Sequence, residues 1–379
     1  MKILVTGSHF TPAQAVIEKL LEVPDLEIVY LGRKYARDDD KAASVESKIL
    51  PDLGVKFIPL IAGRLNRFFS FYSLIALLKT PIGFIQSFYY LLKEKPDLIV
   101  SFGGFTGMPV VICGWFLSVP SLIHEQSLKM GLSNLISSIF ANKIAVSFKN
   151  MNLPGFINDK KVIVIGNPIR KEILTPQKPS KEIKTFLESA NRRKKPLILI
   201  TAGNQGSHFI NLIVEDKLLE LTKFASLIHQ TGDSKYDDYS NLEKHQSENY
   251  LVDKWIDGGD LSYILDSTDL VISRGGMNTL IELALKSAPS LMIPLPVGSE
   301  QKNNVAYFRK LGLGESLDEK KITPEIFIEK IKEMLSQKVY WKKSASQSKT
   351  AVILDAEKKL VQEILLMLNN QENYHLLFK

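Results

Sequence analysis

One β-α-β segment in the second half of the chain carries the side chains with the clearest chemistry. An apolar strand predicted at 270–272 enters a glycine turn, and a helix is predicted to begin directly behind that turn. The unpaired N–H groups and the positive dipole end of a helix N-terminus suit a diphosphate. The residues that would present these donors are Gly275, Gly276, Asn278 and Thr279.

The same segment also holds groups that suit the rest of a nucleotide sugar. Glu282 follows one turn into the helix, where its carboxylate could hold ribose hydroxyls. A second strand, predicted at 290–293, leads into a polar loop with side chains that could hold a sugar: Glu300, Gln301, Asn303 and Asn304. The combination indicates a nucleotide-sugar site rather than a plain nucleotide site.

Near the N-terminus, His9 is a candidate proton acceptor. It follows a predicted strand at 2–6 and the turn residues Gly7 and Ser8, and Gly7 lets a ligand approach the backbone closely. An imidazole with a pKa near neutrality can remove a proton from a hydroxyl nucleophile. The alternative is a helix-capping or surface histidine.

Three polar residues, His124, Glu125 and Gln126, follow an apolar strand predicted at 121–123. Side chains at the carboxyl end of a strand face the ligand side of an α/β sheet. These three could bind acceptor hydroxyls or phosphates, or form a base–carboxylate pair. The alternative is a hydrogen-bonded loop that fixes the end of the strand.

Two more glycine turns precede predicted helices. Gly103 and Gly104 follow a strand predicted at 98–102, and they could cradle a second phosphate or form a plain tight connection. Asn204 and Gln205 lie in the matching turn of the second half, whose N–H groups could hold a phosphate or a sugar hydroxyl.

Three other polar residues have less specific surroundings. Arg170 could reach a phosphate with its planar fork, or it could form an interdomain salt bridge. His208 and His229 are interpreted as structural.

Short apolar strands alternate with helices along both halves of the chain. This alternation predicts an α/β fold with parallel sheets covered on both faces. The predicted strands are 2–6, 26–31, 55–58, 98–102, 121–123, 144–147, 197–202, 226–230, 270–273 and 290–293, and predicted helices include 13–23, 109–117 and 207–221. Two similar doubly wound, Rossmann-like domains are predicted, with the loops at the carboxyl ends of both sheets facing a central cleft.

The chain length of 379 residues also favours two domains. The predicted domains are 1–166 and 167–345, with the boundary in or just after a Gly-Asn-Pro segment. The tail at 346–379 is predicted to be largely helical and to return to the first domain.

Composition limits the class of protein. The single cysteine, Cys113, excludes an internal disulfide and a cysteine cluster for zinc, and the start of the chain lacks a signal-peptide pattern, so a cytosolic compartment is expected. The formal charge of +7 favours anionic partners, but no signature of DNA or RNA binding accompanies it. No metal-ligand spacing is found, so no metal or cofactor is expected. Helix dipoles, N–H groups and Arg170 would then stabilise a departing diphosphate.

The stretch 68–92 is rich in aromatic and aliphatic residues. Pro81 and Gly83 interrupt it and Lys79 lies inside it, which argues against a membrane-spanning helix. Basic residues flank or enter the stretch: Arg64, Arg67, Lys79, Lys93 and Lys95. The stretch therefore predicts an interfacial patch at 64–95 that docks on an anionic membrane, or a pair of buried helices.

Seven segments occur in the order typical of one known family. They are HFTPAQAV at 9–16, SFGGFTGMP at 101–109, IHEQSLKMGLSN at 123–134, IGNPIRKEIL at 165–174, GNQGS at 203–207, IHQTG at 228–232 and ISRGGMNTLIELA at 272–284. On these segments the chain resembles the GT-B glycosyltransferases and, most closely, the MurG family. That family adds N-acetylglucosamine to the membrane-bound muramyl-pentapeptide lipid of peptidoglycan synthesis.

The resemblance implies roles for individual residues. His9 would be the general base near the acceptor, Glu282 would bind the ribose of UDP, and Gln301 would contact the donor sugar. The implied donor site also includes Arg170, Asn204, Gln205, Gly275, Gly276, Asn278, Thr279 and Glu300. The implied acceptor site comprises Gly7, Ser8, Gly103, Gly104, His124, Glu125, Gln126 and Ser127.

The chain departs from the family pattern at several positions. The first loop, TGSH, is shorter than the usual GGTGGH, and Ser127 stands where the family usually has asparagine. In the later loops Asn204 replaces a serine, and Glu300 precedes Gln301 where a Gln-Gln pair is frequent. These departures indicate a divergent member and are compatible with a modified lipid acceptor.

The predicted activity is inverting transfer of N-acetylglucosamine from UDP-N-acetylglucosamine to a polyprenyl-diphosphate-linked muramyl acceptor, lipid I to lipid II. The enzyme would be peripheral at the cytoplasmic face of the cell membrane. The alternatives are a different polyprenyl or glycolipid acceptor, a UDP-N-acetylglucosamine 2-epimerase, and a UDP-sugar sensor or scaffold without catalysis. The apolar stretch at 68–92 argues against the epimerase.

Overall fold

A computed structural model describes residues 1–35, 43–61, 71–175, 178–203, 206–233, 236–296 and 300–377, with the backbone alone described for 71–79 and 370–377. The chain divides into two compact units. The first comprises Met1–Ile169 together with Ile353–Lys379, and the second comprises Arg170–Val352.

The first unit contains, among its described residues, a seven-stranded sheet in which every strand pair is parallel. Its strands are β1 (Lys2–Thr6), β2 (Glu27–Gly32), β3 (Lys56–Pro59), β4 (Leu98–Ser101), β5 (Ser121–Glu125), β6 (Lys143–Val146) and β7 (Val162–Val164). The helices between them are α1 (Phe10–Leu20), α2 (Val45–Asp52), α3 (Phe71–Glu94), α4 (Gly104–Phe116) and α5 (Leu132–Phe140). The strand order is β3-β2-β1-β4-β5-β6-β7.

The second unit contains a six-stranded parallel sheet, again among the described residues, in the order β10-β9-β8-β11-β12-β13. Its strands are β8 (Leu197–Thr201), β9 (Ser226–Gln230), β10 (Tyr250–Asp253), β11 (Leu270–Ser273), β12 (Ser290–Met292) and β13 (Gly314–Ser316). Its helices are α6 (Lys171–Leu174), α7 (Lys181–Arg193), α8 (His208–Phe224), α9 (Asp238–Leu242), α10 (Gly258–Ser267), α11 (Met277–Lys286), α12 (Gln301–Lys310), α13 (Pro324–Ser336) and α14 (Lys338–Gln347). The last helix of the chain, α15 (Ala356–Leu377), belongs to the first unit.

The predicted fold class of two Rossmann-like, doubly wound domains is confirmed, and most predicted strands agree within one residue at either end. The exception is β5, which continues through His124 and Glu125 instead of ending at 123. The strands that the sequence analysis missed are β7, β10 and β13, and each lies at the edge of a sheet. The strands β7 and β13 have only three residues each, so they lack the long apolar run that marks a central strand.

Three helix predictions differ from the structure at a proline. Helix α1 begins at Phe10 rather than 13, and Pro12 lies in its first turn, where a missing N–H costs nothing. Helix α4 begins at Gly104 rather than 109, so Pro109 lies inside the helix. Helix α3 runs through Pro81 without ending, because the loss of one hydrogen bond is small beside the others of 24 residues.

Apolar residues on β1 alternate between two cores. Ile3 and Val5 face α1 and α15, whereas Leu4 faces the opposite core under α3 to α5. Helix α15 contributes apolar residues at intervals of four, which places them on one face. They are Ala356, Leu360, Ile364 and Leu368, each at most 1% exposed.

We predict that α15 stabilises the first unit. Ile364→Ala should lower its free energy of unfolding by about 2–5 kcal/mol, because a fully buried side chain is replaced by a cavity. Leu366→Ala, two residues away and 55% exposed, should change it by less than about 0.5 kcal/mol. Urea denaturation followed by a probe in the first unit measures both values. Equal effects of the two substitutions would contradict the packing described.

Candidate functional site

In the first unit, the turns after β1, β4 and β5 lie side by side at the carboxyl edge of the sheet. Thr6 at the end of β1 pairs with Ser101 at the end of β4. Ser101 in turn pairs with Ile123 of β5. Parallel pairing therefore brings together residues that are about a hundred positions apart in sequence, and these are the turns in which the acceptor site was predicted.

The turn after β1 is in close contact with the residue that follows β4. Gly7 has a φ of 137°, and a Cβ at this position would lie 2.7 Å from the carbonyl carbon of Phe102. The hydroxyl of buried Tyr30 donates a hydrogen bond of 2.9 Å to the carbonyl oxygen of Gly7. Only glycine fits this close approach, which explains its presence in the shortened TGSH loop.

The first and second glycine turns are bonded to each other. The N–H of Ser8 donates to the carbonyl oxygen of Gly103 at 2.9 Å. The side chain of Ser8 covers Gly104, where a Cβ would lie 2.3 Å from the Ser8 Oγ. Gly103 and Gly104 both have positive φ, of 69° and 76°. The two turns thus form a single rigid surface, and the N–H of Ser8 is used inside it.

His124 and Glu125 are buried and bonded within the first unit. Nε2 of His124 donates to the carbonyl oxygen of Gly166 at 3.0 Å, and burial lowers the pKa of His124 to about 4, so the ring is neutral. Glu125 accepts N–H groups of Ser127 at 2.8 Å and Gly131 at 3.0 Å. These bonds are what a loop that fixes the end of a strand requires.

The carboxylate of Glu125 also accepts the side-chain amide of Asn134 at 3.0 Å, and that amide donates as well to the carbonyl oxygen of His124. The carboxylate of Glu125 thus holds three N–H donors of the first unit. Nδ1 of His9 lies 2.8 Å from Nε2 of Gln126. His9 occupies the N-cap position of α1 without capping it through its side chain. His9, the candidate proton acceptor, therefore pairs with the amide of the segment at 124–126.

In the second unit, Arg170 and Glu282 form a forked ion pair. Nε and Nη2 of Arg170 donate to Oε1 of Glu282 at 3.0 and 2.9 Å, and Nη2 also reaches Oε2 at 3.1 Å. Burial opposes the charge on Arg170, but the neighbouring carboxylate of Glu282 leaves the pKa of the guanidinium raised. Both residues belong to the second unit, so this ion pair is not the interdomain salt bridge that was named as the alternative for Arg170.

The glycine turn after β11 is held by α12. Oε1 of Gln301 accepts the N–H of Gly275 at 3.3 Å and that of Leu295 at 3.1 Å, and Nδ2 of Asn304 donates to the carbonyl oxygen of Gly275 at 3.2 Å. A Cβ on Gly275 would lie 2.6 Å from Val305, so the contact requires glycine. Gln301, the predicted sugar contact, therefore fixes the turn at which a diphosphate site was predicted.

Helix α11 begins at Met277, and Gly276 at its N-cap position provides no side-chain cap. Asn278 and Thr279 lie in its first turn, as predicted from the sequence within one residue. Thr279 also lies beside the turn after β8, where a Cβ on Gly203 would be 3.9 Å from its hydroxyl oxygen. Asn204 and Gln205 lie outside the described residues, and Glu300 lies in the turn ahead of α12.

Arg274 joins three loops of the second unit, and its role was not predicted from the sequence. Its guanidinium donates to Oγ of Ser207 at 2.9 Å and to the carbonyl oxygen of Ile293 at 3.0 Å, and it pairs with Glu319. Only 9% of this residue is exposed. A basic residue directly after a buried strand was the available signal.

The two histidines interpreted as structural have partners inside the second unit. His229 is fully buried between the hydroxyl of Tyr250 at 2.9 Å and Oδ1 of Asn211 at 3.1 Å, and burial lowers its pKa to about 3. Nδ1 of His208 lies 2.6 Å from Oδ1 of Asp238. Within the described part of the chain, no group of three or more His, Cys, Asp or Glu side chains is placed to hold a metal ion.

Two parallel-sheet units, each with glycine turns at the carboxyl edge of its sheet, define the class of two-domain Rossmann-like proteins that use nucleotide ligands. Family models agree in detail: the N-terminal domain of glycosyltransferase family 28 matches residues 5–146, and its C-terminal domain matches residues 197–365. The chain belongs to glycosyltransferase family 28.

Two relatives at 31–32% identity carry the same name. The chain is 32% identical over 341 residues to a UDP-N-acetylglucosamine–N-acetylmuramyl-(pentapeptide) pyrophosphoryl-undecaprenol N-acetylglucosamine transferase of Treponema denticola, covering 87% of this chain and 86% of that protein. A transferase of the same name from Clostridium kluyveri is 31% identical over 373 residues, covering 96% and 98%.

Solved structures show the same fold. A crystal structure of Acinetobacter baumannii MurG superposes with a TM-score of 0.66 at 21% identity, covering 96% of this chain and 99% of that one. A Staphylococcus aureus MnaA structure with UDP gives a TM-score of 0.70 at 15% identity, covering 97% of each chain. At these identities the likeness concerns the fold alone.

We predict that unfolding takes up protons below pH 6.5. The pKa values of His124 and His229 are depressed to about 4 and about 3, whereas both are near 6.5 in an unfolded chain. As pH falls through 6.5, the unfolded state binds protons that the folded state does not, so the free energy of unfolding falls toward pH 4 and is unaffected above pH 7.

Each histidine should contribute a slope of up to about 1.4 kcal/mol per pH unit in that range. Denaturant titrations of the second unit at pH 6 and pH 5 should show a smaller slope in His229→Gln than in the unsubstituted protein. His245→Gln, at an exposed position of the same unit, serves as the control. A slope unchanged by His229→Gln would show that His229 is charged in the folded state.

Proposed function

We propose that the protein transfers N-acetylglucosamine from UDP-N-acetylglucosamine to a polyprenyl-diphosphate-linked muramyl acceptor, lipid I to lipid II, with inversion at the anomeric carbon. The observation that carries this proposal is identity of 31–32% with transferases of that name over 87–96% of the chain. The placement of His9 and Glu282 supports it. Each lies at the carboxyl edge of its own sheet, where ligands of this fold bind.

The donor would bind to the second unit. The N-terminus of α11, behind Gly275 and Gly276, offers N–H groups and a positive dipole end to the diphosphate. Glu282 would accept the ribose hydroxyls, since a carboxylate has more lone pairs than the fork of Arg170 uses. Arg170 would then orient Glu282 rather than bind a phosphate itself.

The remaining predicted donor residues keep their proposed roles. Gln301 and Glu300 would lie near the sugar, with Asn278 and Thr279 near the diphosphate. Asn204 and Gln205 would complete the site from the turn after β8. Because Gln301 already binds two backbone N–H groups, its substitution would also loosen the turn at Gly275.

The acceptor would bind to the first unit. His9 would remove the proton of the attacking hydroxyl as it bonds to the anomeric carbon. The joined turns at Gly7, Ser8, Gly103 and Gly104 would hold the acceptor diphosphate at the N-termini of α1 and α4. Ser127 would take the place next to Gln126 where the family usually has asparagine. Domain closure over the substrates would exclude water and limit hydrolysis of the donor.

We further propose that the first unit docks on the cytoplasmic face of the cell membrane. Among the described residues, no helix is long and apolar enough to cross a bilayer. Large apolar side chains are nevertheless exposed on three consecutive helices of this unit: Ile82, Ile85, Phe88, Tyr89 and Leu92 on α3, Trp115 and Phe116 on α4, and Ile139 on α5. Helices α3 and α5 both pack against α4, so these side chains belong to neighbouring elements.

Cations accompany this apolar surface. Nζ of Lys93 lies 5.8 Å from the ring centre of Tyr89, and Lys95 follows the end of α3. Apolar side chains with neighbouring lysines suit an anionic lipid surface. Arg64 and Arg67 lie outside the described residues, and Lys79 is described only in its backbone.

The epimerase alternative rests on fold alone. A UDP-GlcNAc 2-epimerase from Neisseria meningitidis superposes with a TM-score of 0.62 at 18% identity, covering 96% of this chain. The transferases named above are nearly twice as similar in sequence, and the exposed apolar surface of the first unit suits a lipid-linked acceptor. Transfer to a different polyprenyl lipid uses the same residues, so the acceptor must be varied in the assay.

We predict that substituting His9 lowers kcat, whereas substituting Glu282 weakens UDP binding. Purified protein, UDP-N-acetylglucosamine and the muramyl lipid should give a product with one added sugar. His9→Ala should lower kcat by about 10²–10⁴-fold and leave UDP affinity unchanged, because only proton transfer is lost. Glu282→Gln should weaken UDP binding about 10-fold, as expected for a charged hydrogen bond to ribose.

Calorimetry with UDP and the transfer assay measure these effects separately. Glu325→Gln, an exposed acid in the second unit, should change neither value. Full turnover by His9→Ala would remove His9 from the mechanism. Tight UDP binding without any transfer, in an assay whose positive control works, would favour a sensor or scaffold.

We also predict that charge on α3 releases the protein from lipid. A double substitution, Ile85→Glu with Tyr89→Glu, should reduce sedimentation with vesicles of anionic phospholipid by about tenfold, since burying each carboxylate at the interface is costly. Leu219→Glu, at a position 79% exposed in the second unit, is the control. Equal sedimentation of both variants would place the membrane contact elsewhere.

A further inference from the structure

His9 and Gln126 form a hydrogen-bonded pair at the carboxyl edge of the first sheet. The amide nitrogen Nε2 of Gln126 lies 2.8 Å from Nδ1 of His9. Gln126 is only 5% exposed, and its other polar atom, Oε1, has no hydrogen-bond partner among the described residues. Buried polar atoms without a partner are rare because they are costly. The orphaned oxygen belongs to the side chain that contacts the proposed base.

The orientation of this amide decides which nitrogen of His9 can accept a proton. When the amide N–H points at Nδ1, the neutral ring carries its own proton on Nε2 and cannot accept another there. A half-turn of the amide exchanges the positions of its two polar atoms, so that Oε1 of Gln126 faces Nδ1 of His9. Nδ1 of His9 then carries the proton and donates a hydrogen bond to Oε1 of Gln126. The lone pair of the ring lies on Nε2 of His9.

We propose that Gln126 is a positioning residue that selects the tautomer of His9 and turns its Oε1 to Nδ1–H when His9 acts as base. This inference rests on the proposed function. The acceptor O–H bond breaks, its proton goes to Nε2, and its electron pair forms the bond to the anomeric carbon. The bond from that carbon to the diphosphate oxygen breaks, and its electron pair leaves with UDP.

The half-turn follows from the charge that forms on His9. An imidazolium carries N–H on both nitrogens, so its Nδ1–H needs an acceptor. The amide nitrogen cannot accept, whereas Oε1 can, and accepting a hydrogen bond from the charged form favours that form. The buried oxygen that lacks a partner in the resting site thereby gains one during the reaction.

The neighbouring ionisable groups are bonded to other partners. Glu125 already binds three N–H donors, of Ser127, Gly131 and Asn134. His124 interacts electrostatically with His9, but its Nε2 donates to the carbonyl oxygen of Gly166 and its ring is neutral. Glu125 and His124 are also the titratable groups of β5. Their charges must be the same in all variants whose His9 pKa values are compared.

The sign of a pKa change tests the proposal without any substrate. In protein labelled with ¹⁵N-histidine, His9 is assigned by its loss in His9→Asn and titrated between pH 5 and 8. Gln126→Met should lower the pKa of His9 by about half a unit or more, because Oε1 no longer stabilises the imidazolium. If the amide remained a donor, removing it would raise the pKa instead. An unchanged or higher pKa in Gln126→Met overturns the proposal.

Turnover provides a second, separate readout. Gln126→Met should lower kcat about 10- to 100-fold with an unchanged KM for the sugar nucleotide. Gln126→Glu keeps an acceptor oxygen for Nδ1–H, so it should retain kcat within about tenfold and raise the pKa of His9. Gln14→Met, which removes an amide on α1 that bonds to Glu18, is the control and should change neither value. Equal losses in the Met and Glu variants would indicate a merely structural role and overturn the proposal.

The two readouts separate this inference from the proposed function. If the unsubstituted protein transfers no sugar but Gln126→Met lowers the pKa of His9, the proposed function fails while the pairing stands. If transfer is observed but Gln126→Met raises the pKa of His9, the pairing fails and the proposed function stands. Gln126→Leu replaces the methionine variant in both measurements if that variant does not fold.

Discussion

Parallel strand pairing is the constraint on which both candidate sites depend. In a parallel sheet all carboxyl ends meet at one edge, so turns that follow different strands become neighbours whatever their separation in sequence. The pairing of Thr6 with Ser101 brings the turn at Gly7 against Phe102 and Gly103. In the second unit, the pairing of Thr201 with Ser273 does the same for the turns at Gly203 and Gly275. Glycine is required at Gly7 because two backbones meet there, and at Gly275 because the side chain of Val305 packs against it.

Buried charges organise these edges after the backbone has aligned them. Arg274 ties the turn at Ser207 to the loop after β12, and Arg170 holds the carboxylate of Glu282 in one orientation. Both guanidiniums are largely buried and bonded to acidic partners, which offsets the cost of removing them from water. A site prepared in this way loses little entropy when a charged ligand binds.

The sequence was sufficient to predict the sheets and the location of the turns, because central strands are continuous apolar runs and glycine turns follow them. It was insufficient for helix starts near Pro12 and Pro109, since proline is tolerated both at a helix start and inside a helix that packs well. The sequence did not predict which side chains pair with each other. The hydrogen bond between His9 and Gln126 joins two turns that are 117 positions apart in sequence, and the extension of β5 to Glu125 was not predicted.

The discontinuous first unit has a consequence for biosynthesis. Five buried residues of α15 complete the core around β1 and α1, and they are separated from it by the entire second unit. A nascent chain emerging from the ribosome therefore lacks part of this core until α15 has emerged, whereas Arg170–Val352 can fold earlier as a continuous segment. Until then, Leu20 and Val16 on α1 stay partly uncovered, so nascent chains of this protein would need shielding from one another during translation.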